Sequence, residues 1–411
     1  MQHGHLLEQI IADFNSQFFM NDFVFLNPKY LREKNEKELC DLLLVLNDEA
    51  IVISVKGTDG EPKSESRLSS WLTKKTWKGS NQAKGGINWL SRVATTARNL
   101  WDEEVTFNSG RLRALCGVTV LDCSQKPFGL IEYDMRVPDS EIPLHVLSVN
   151  DFLNVVKWLG SIADVYKYFS RRARVLSVLT GINQEQPILA YYTLRSKALE
   201  GFSMDDQEEL CVMHNFHLIE NLENYEERDK YANYLNSVVQ ALHERHPSIE
   251  SYMPAELLNR IEPLEKRESY REMGAMLNAL PLSIKVHIGR RLETMIEEVS
   301  RLKKAGCFAI KPLLDESVFV FGCFSSLSRT ERVRQLHAMV PAALHQHKVR
   351  KGVGVAIDAD NPQTGFDLML VRDQVAFTEA DKRIGAYLFP NTEEPLVADA
   401  FGQTRVYTPP E

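Results

Sequence analysis

The chain has 411 residues, of which 44% are hydrophobic and 25% are charged, and its formal net charge is -8. This composition fits an ordinary soluble globular protein of two or three domains, each large enough to bury its own core. An acidic chain does not bind nucleic acid through its whole surface, so any such contact must come from a local basic patch.

Signals for targeting or membrane insertion are missing from the sequence. The N-terminus lacks a basic region followed by an apolar one, and no run of about 18 apolar residues occurs. We therefore expect a cytoplasmic protein without a membrane partner. The six cysteines show no CxxC spacing, which favours buried free thiols over a zinc ribbon or a redox pair.

The first predicted element is an amphipathic helix over residues 5–20. A short strand over Phe23–Leu26 follows and is predicted to end at Asn27-Pro28. Glu8 lies at the flank of the helix's apolar stripe, at the edge of the face that we expect to be buried. The stripe consists of residues at helical spacing: Leu6, Leu7, Ile10, Ile11, Phe14 and Phe18.

The clearest element is a β-hairpin. Its strands, Leu42–Leu46 and Ala50–Lys56, flank a polar turn and are almost entirely apolar. Strands of this composition predict a sheet that is buried on both faces.

The register of this hairpin decides which side chains meet. If residue 47 pairs with residue 50, Asp41 lies opposite Lys56 at the open end of the hairpin. Both side chains then leave one face of the sheet, and Ser54 shares that face.

Further α/β elements complete the N-terminal part. Residues 62–101 predict a polar loop and then a helix or a helix pair. Strands are expected over Leu115–Leu121 and Gly129–Tyr133. The order helix, strands, helix, strand up to about residue 145 makes an α/β sandwich with a central mixed sheet.

The remaining chain divides into a helical region, 146–304, and a small α/β domain, 305–411. Either region is an expected place for a protein partner or for homo-oligomer contacts. Helices are predicted over Val149–Phe169, 205–245, 270–304 and Arg329–His347, and strands over Ser317–Cys323, Gly352–Ile357 and Phe366–Val371.

Asp41 and Lys56 are the candidate catalytic pair. Metal-assisted phosphodiester cleavage needs carboxylates to hold a hard cation such as Mg²⁺ against a phosphate oxygen. A nearby lysine can orient the attacking water and offset charge in the transition state. Strand ends are also often charged because they meet solvent, so spacing alone leaves both interpretations open.

The order of Glu8 in the first helix, Asp41, and Ser54-Val55-Lys56 after an apolar strand resembles the PD-(D/E)xK nuclease superfamily. The run from Lys37 to Asp41 is similar to nuclease-related (NERD-like) bacterial proteins. The resemblance covers residues 1 to about 145. It includes residues that look like the helix after the catalytic lysine in such proteins, where a polar Gln or Lys faces the site: Trp71, Lys78, Ser80 and Gln82.

The resemblance implies a role for each matching residue. Asp41 and Glu8 would ligate Mg²⁺ or Mn²⁺, and Glu38 is a further candidate ligand. Lys56 would position water, with Glu38 or Gln82 assisting. By analogy, large accessory regions behind a small nuclease core fit a restriction or anti-phage defence effector.

One position departs from the family pattern. Asp, Glu or Gln usually stands two residues before the lysine, whereas this chain has Ser54, whose hydroxyl is a weak Mg²⁺ ligand without negative charge. Either Glu38 or Glu8 completes the metal site, or the chain is a binding protein that keeps the fold without turnover. In a third alternative, the rear domains do the work and the N-terminal core only dimerises.

Residues 62–100 carry a local excess of positive charge directly after Lys56, with eight basic residues against the single acid Glu65. Basic residues interleaved with aromatics suit a nucleic-acid groove, with DNA favoured and RNA as an alternative. The tryptophans of this segment, taken alone, are more simply core residues. The expected contacts are Lys74, Lys75, Lys78, Lys84 and Trp77.

Overall fold

The chain divides into two compact units, Met1–Leu222 and Glu223–Glu411. Both combine helices with β-sheet, so the predicted α/β class is confirmed. The boundary falls inside the region 146–304, and the division into three domains stays a prediction. The computed structural model describes residues 3–32, 35–57, 65–123, 135–138, 140–175, 185–194, 197, 199, 201–203, 210–213, 222–244, 263–312, 316–362, 366–371, 377–389, 396–398 and 404–406.

A large mixed sheet forms the centre of the first unit. Its strand order is β6-β5-β1-β3-β4-β7-β8, with β2 paired to β1. The pairs β4–β7 and β7–β8 are parallel, and the other neighbours are antiparallel. The strands are β1 (Val24–Arg32), β2 (Asn35–Glu38), β3 (Leu42–Leu46), β4 (Glu49–Lys56), β5 (Thr95–Asn99), β6 (Glu104–Phe107), β7 (Arg113–Leu121) and β8 (Leu144–Ser148).

Helices cover both faces of this sheet. Leu43 and Val52 face α2 and pack with its residues Ala83 and Ile87. Because side chains alternate along a strand, Leu44 faces the opposite side, which α1, α3 and α4 cover. The helices are α1 (His3–Phe19), α2 (Glu65–Leu90), α3 (Val149–Leu159), α4 (Ile162–Arg172) and α5 (Glu185–Leu194).

The hairpin β3–β4 is buried on both faces, as predicted, but its predicted register was wrong. Leu46 pairs with Glu49, so the turn contains only Asn47 and Asp48. Asn47 has φ of 56°, a left-handed conformation that asparagine tolerates and that permits a two-residue turn. Continuing this register places Asp41 beside Ser54 rather than Lys56. A shift of two residues leaves each side chain on its predicted face.

Three other predictions need correction. The strand expected to end at Asn27-Pro28 continues to Arg32, because a bulge places the proline where the register to β5 shifts. The helical part of 62–101 ends at Leu90, and β5 follows within the range that was expected to be helical. Residues Leu6 and Ile10 of the predicted apolar stripe are exposed. The strand predicted over Gly129–Tyr133 lies outside the described residues.

The second unit packs helices on a smaller sheet of order β12-β11-β10-β9, in which only β10–β11 is a parallel pair. The three strands and the helix predicted from Ser317 onward are confirmed, with bounds that differ by at most one residue. The elements are α6 (Leu222–Glu244), α7 (Pro263–Asn278), α8 (Leu282–Leu302), β9 (Ala305–Ile310), β10 (Ser317–Phe324), α9 (Arg329–His347), β11 (Lys351–Asp358), β12 (Phe366–Val371), α10 (Glu379–Leu388), β13 (Leu396–Ala398) and β14 (Thr404–Val406).

Two local features of the second unit are a close approach between α6 and α8 and a capped start of α9. A Cβ atom added at Gly289 on α8 would overlap the backbone of Tyr231 on α6, so the two helices approach at their backbones. Ser328 and Glu331 form a capping box at the start of α9. Among the described residues, none of the helices is both long and apolar enough to span a membrane.

Candidate active site

Asp41 is the centre of a polar cluster at the end of the hairpin away from its turn. Its Oδ2 accepts hydrogen bonds from the Ser54 hydroxyl at 3.2 Å and from the Val55 backbone N–H at 2.5 Å. Its Oδ1 accepts a hydrogen bond from the side-chain amide of Gln82 at 2.9 Å. Asp41 is only 5% exposed, so these donors replace water around a buried carboxylate.

Lys56 provides the charge that balances Asp41. Its Nζ donates to Asp41 Oδ2 at 2.9 Å and to the Val55 carbonyl at 2.8 Å. Both side chains of this ion pair are less than 10% exposed. The expectation that Asp41 and Lys56 leave the same face of the sheet is confirmed by this contact, and their catalytic role stays a prediction.

Helix α2 brings Gln82 into the cluster. The amide nitrogen of Gln82 donates to Asp41 and also to Glu38 Oε1 at 3.3 Å, and its carbonyl accepts from the Ser54 hydroxyl at 3.1 Å. Gln82 therefore links the hairpin to β2, which carries Glu38.

Two glycines on the same side of α2 allow this approach. A Cβ atom at Gly86 would lie 2.8 Å from the Leu39 carbonyl oxygen, and one at Gly79 would overlap the side chain of Thr119 on β7. Because real Cβ atoms essentially never come so near, α2 can lie this close to the sheet only with glycine at these positions. Gln82 stands between them and reaches Asp41 for that reason.

Glu8 and Glu38 add two further carboxyl groups beside Asp41. Burial and the charge of Asp41 raise the pKa of Glu8, against the lowering effect of His5, whose Nδ1 is 3.2 Å away. Glu38 is exposed as a residue, but partial burial of its carboxyl group raises its pKa to about 7, and its hydrogen bond with Asp41 and the charge of that residue add to the effect. The cluster thus sets three carboxyl groups against the single ammonium of Lys56.

The oxygen donors of this cluster are of the type that binds a hard divalent cation, but their present spacing does not form a cation site. Carboxylate and amide oxygens are the ligands that Mg²⁺ prefers in proteins. Both oxygens of Asp41 are already occupied by protein donors. Within the described part of the chain, no group of three or more His, Cys, Asp or Glu side chains is arranged to hold a metal ion.

The raised pKa of Glu38 predicts a pH-dependent stability. The pKa of Glu38 is about 7 in the folded state, against an ordinary 4.5. The stability that protonated Glu38 contributes to the folded state is therefore full below about pH 4.5 and is lost as the pH rises through about 7. In a chelator, we therefore expect the melting temperature of Glu38→Gln to rise relative to the wild type between about pH 4.5 and about pH 7, and the difference to stay constant above about pH 7. Glu36→Gln, on the same strand, is the control and should show a constant difference. A constant difference for Glu38→Gln as well would contradict the prediction.

The predicted contact residues of the basic segment are only partly exposed to solvent. Lys74, Trp77 and Lys78 are exposed on α2, and Trp77 is 68% exposed. Lys75 instead donates to the Gly57 carbonyl at 3.1 Å, and Lys84 is half-buried. The structure therefore leaves three of the five predicted contact residues fully available to a ligand.

The other tryptophans of this segment pack against protein, as the simpler interpretation expected. Trp89 stacks on Tyr30 with ring centroids 5.1 Å apart. The indole of Trp101 donates to Asp22 at 3.2 Å, and Trp71 lies beneath the ammonium of Lys75. Only Trp77, among the four from Trp71 to Trp101, has its ring largely in solvent.

Sequence reasoning missed three contributors to the cluster: the Val55 N–H, His5 and the glycine pair of α2. The two glycines, seven residues apart in a predicted helix, were the available signal, because that spacing places them on one helix face. Comparison with protein-family models, with curated proteins and with solved structures finds no match for this chain.

Proposed function

We propose that this chain is a metal-dependent nuclease of the PD-(D/E)xK type that hydrolyses phosphodiester bonds, with DNA as the favoured substrate. The observation that carries this proposal is the convergence of the cluster. Asp41, Ser54 and Lys56 from the hairpin and Gln82 from α2 form one hydrogen-bonded group. Glu8 and Glu38 lie near enough for Asp41 to raise their pKa values.

The proposal gives each residue of the cluster a role. Asp41, Glu8 and Glu38 would hold Mg²⁺ or Mn²⁺, which when bound polarises a phosphate oxygen and acidifies a ligated water. The Lys56 ammonium, held by Asp41 and by a backbone carbonyl, offers a fixed positive charge to an attacking water or a phosphate oxygen. Gln82 and Ser54 keep the Asp41 carboxylate oriented.

Helix α2 offers a path for a nucleic-acid backbone to this cluster. Lys78 is exposed and precedes Gln82 by four residues, so the two side chains lie along one side of the helix. Lysine contacts to phosphates supply affinity without reading sequence. The exposed ring of Trp77 can stack on a base.

A second candidate function is nucleic-acid binding without cleavage. The observation that favours it is the saturation of Asp41, whose Oδ2 accepts three hydrogen bonds and whose Oδ1 accepts one. Ser54, at the position where the family usually carries an acid or Gln, supplies no negative charge to a cation. Such a protein would bind nucleic acid with a steep salt dependence and leave it intact.

A cleavage assay tests the proposal. We expect the full chain to cut plasmid, single-stranded DNA or RNA with Mg²⁺ or Mn²⁺ and to stop in a chelator. Lys56→Met should lower the rate by about 10²–10³-fold, the usual cost of losing one transition-state contact. The control is Lys29→Gln, which removes an exposed lysine of the same sheet and should keep full activity.

The outcomes separate the two candidates. Cation-dependent cleavage that Lys56→Met loses while its melting temperature holds supports the nuclease. Salt-sensitive binding of intact nucleic acid, without cutting under any of these conditions, overturns the nuclease and supports the second function. Equal activity in Lys56→Met and Lys29→Gln would remove Lys56 from the site.

A further inference from the structure

A groove of about 480 Å³ lies in the second unit between α8 and the edge strand β9. Cavities of this size accommodate small molecules in many proteins. One face of α8 and three consecutive residues of β9 form its walls. The lining residues of α8 include His287, Arg290 and Arg291, and those of β9 include Cys307 and Phe308.

Arg291 brings a positive charge to the groove that no carboxylate of the described chain pairs with. Its guanidinium lies over the ring of Phe308, 4.6 Å from the ring centroid. This cation–π contact holds the guanidinium against the ring of Phe308. Burial of the side chain lowers the pKa of Arg291.

Two neighbouring residues have polar atoms that the described chain does not satisfy. The Nε of Arg290 and the Nε2 of His287 are buried and have no hydrogen-bond partner among the described residues. Arg290 uses its Nη2 for Glu227, at 2.8 Å, so this ion pair fixes the side chain while its Nε remains unused. Buried polar atoms without partners are rare in folded proteins and point to a missing ligand or water.

Arg291 supplies the positive charge that the groove offers to an anion, because Glu227 already pairs with Arg290. Burial and the charges of Arg291 and Arg290 lower the pKa of His287 to about 4, so its ring is neutral at physiological pH and offers one N–H. Among the described residues that line the groove, Glu298 at the far end of the helix face is the only acid. Two guanidinium groups and a neutral imidazole match the several oxygens of a phosphate group better than the two of a carboxylate.

We propose that this groove binds a phosphate-bearing small molecule of the size of a mononucleotide, with Arg291 as its principal contact. Arg290 and His287 supply further donors to the phosphate oxygens. The apolar side of the groove, Met295 with Cys307, contacts the remainder of the molecule. This site is separate from the Asp41 cluster of the first unit, and the proposal does not rest on nuclease activity.

Titration calorimetry on the full chain tests this site with AMP, inorganic phosphate and acetate as probes. We expect saturable binding of AMP, and weaker binding of phosphate. Arg291→Gln should weaken AMP binding by about tenfold or more, since it removes a charge-assisted contact. Arg291→Lys keeps the charge but loses the planar fork, so its affinity should fall between the two. Arg301→Gln, exposed on the same helix and outside the groove, is the control and should bind as the wild type does.

Three results would overturn the proposal. The first is an absence of saturable AMP and phosphate binding by the wild type. The second is an equal loss of affinity in Arg291→Gln and Arg301→Gln, which would place the contact elsewhere. The third is acetate binding as tight as phosphate binding, which would make the groove a carboxylate site. The melting temperatures of Arg291→Gln and Arg301→Gln serve to distinguish a loss of binding from a loss of folding.

Discussion

Replacing Asp41 by alanine is expected to lower the free energy of unfolding by about 3–5 kcal/mol, because it leaves the buried ammonium of Lys56 without its counter-ion. The Lys56 side chain is 9% exposed, so water cannot take over the role of the carboxylate. The Val55 N–H and the amide of Gln82 would also lose their acceptor. Denaturant unfolding of the wild type and of the variant measures the difference.

The double variant Asp41→Ala/Lys56→Met provides the control for this prediction. Removing both charges leaves no buried ion, so most of the lost stability should return. The four proteins of this double-mutant cycle isolate the interaction between the two side chains. A double variant as unstable as Asp41→Ala alone would show that the loss comes from the N–H donors around Asp41 and not from Lys56.

This cycle also decides how activity measurements are interpreted. Asp41→Ala can abolish cleavage simply because the hairpin end no longer holds its shape. Lys56→Met leaves Asp41 with its three other donors, so it disturbs the cluster less. A loss of cleavage in Lys56→Met, with stability retained, is therefore the stronger result for chemistry.

The second large effect is expected at Gly86. Replacing it by valine places a branched side chain where even a Cβ atom would lie 2.8 Å from the Leu39 carbonyl oxygen and 2.9 Å from Val52 Cγ1. Helix α2 must then move away from the sheet, at a cost of about 1–3 kcal/mol. Because Gln82 is one turn away, its contacts to Asp41 and Glu38 should lengthen as well.

The neighbouring Gly85 is a matched control in the same helix turn. A Cβ atom there would meet nothing within 4 Å, so Gly85→Ala should stabilise the protein by about 0.5–1 kcal/mol through backbone entropy alone. Thermal unfolding of the two variants should move in opposite directions. A Gly86→Val variant that melts at or above the wild-type temperature would show that α2 does not need this close approach.

The sequence predicted the parts of the fold that depend on local pattern. The runs Leu42–Leu46 and Phe366–Val371 and the helix Arg329–His347 have the predicted bounds, because continuous apolar runs and helical spacing are strong local signals. The strands β5 and β6 were missed. Their sequences mix Thr, Arg, Asn and Glu, and what makes them strands is pairing with β1 and with each other.

The site was predictable in part for a similar reason. Alternation along β4 fixes Ser54 and Lys56 on one face whatever the register, so an error of two residues did not affect their grouping with Asp41. The contributions of His5 and of the Val55 N–H depend on how α1 and the hairpin end meet in space. No local sequence pattern carries information about these contacts in space.

The hydroxyl of Tyr166 on α4 donates to the backbone carbonyls of Leu44 and Glu49, at 2.8 and 2.9 Å, on either side of the hairpin turn. Tyr166 is about 120 positions away in sequence and belongs to the predicted helical region 146–304. Truncation after residue 145 would remove this clamp and uncover the face of Leu44. An N-terminal fragment meant to present the Asp41 cluster should therefore extend through α4, and the compact unit ending at Leu222 is its natural limit.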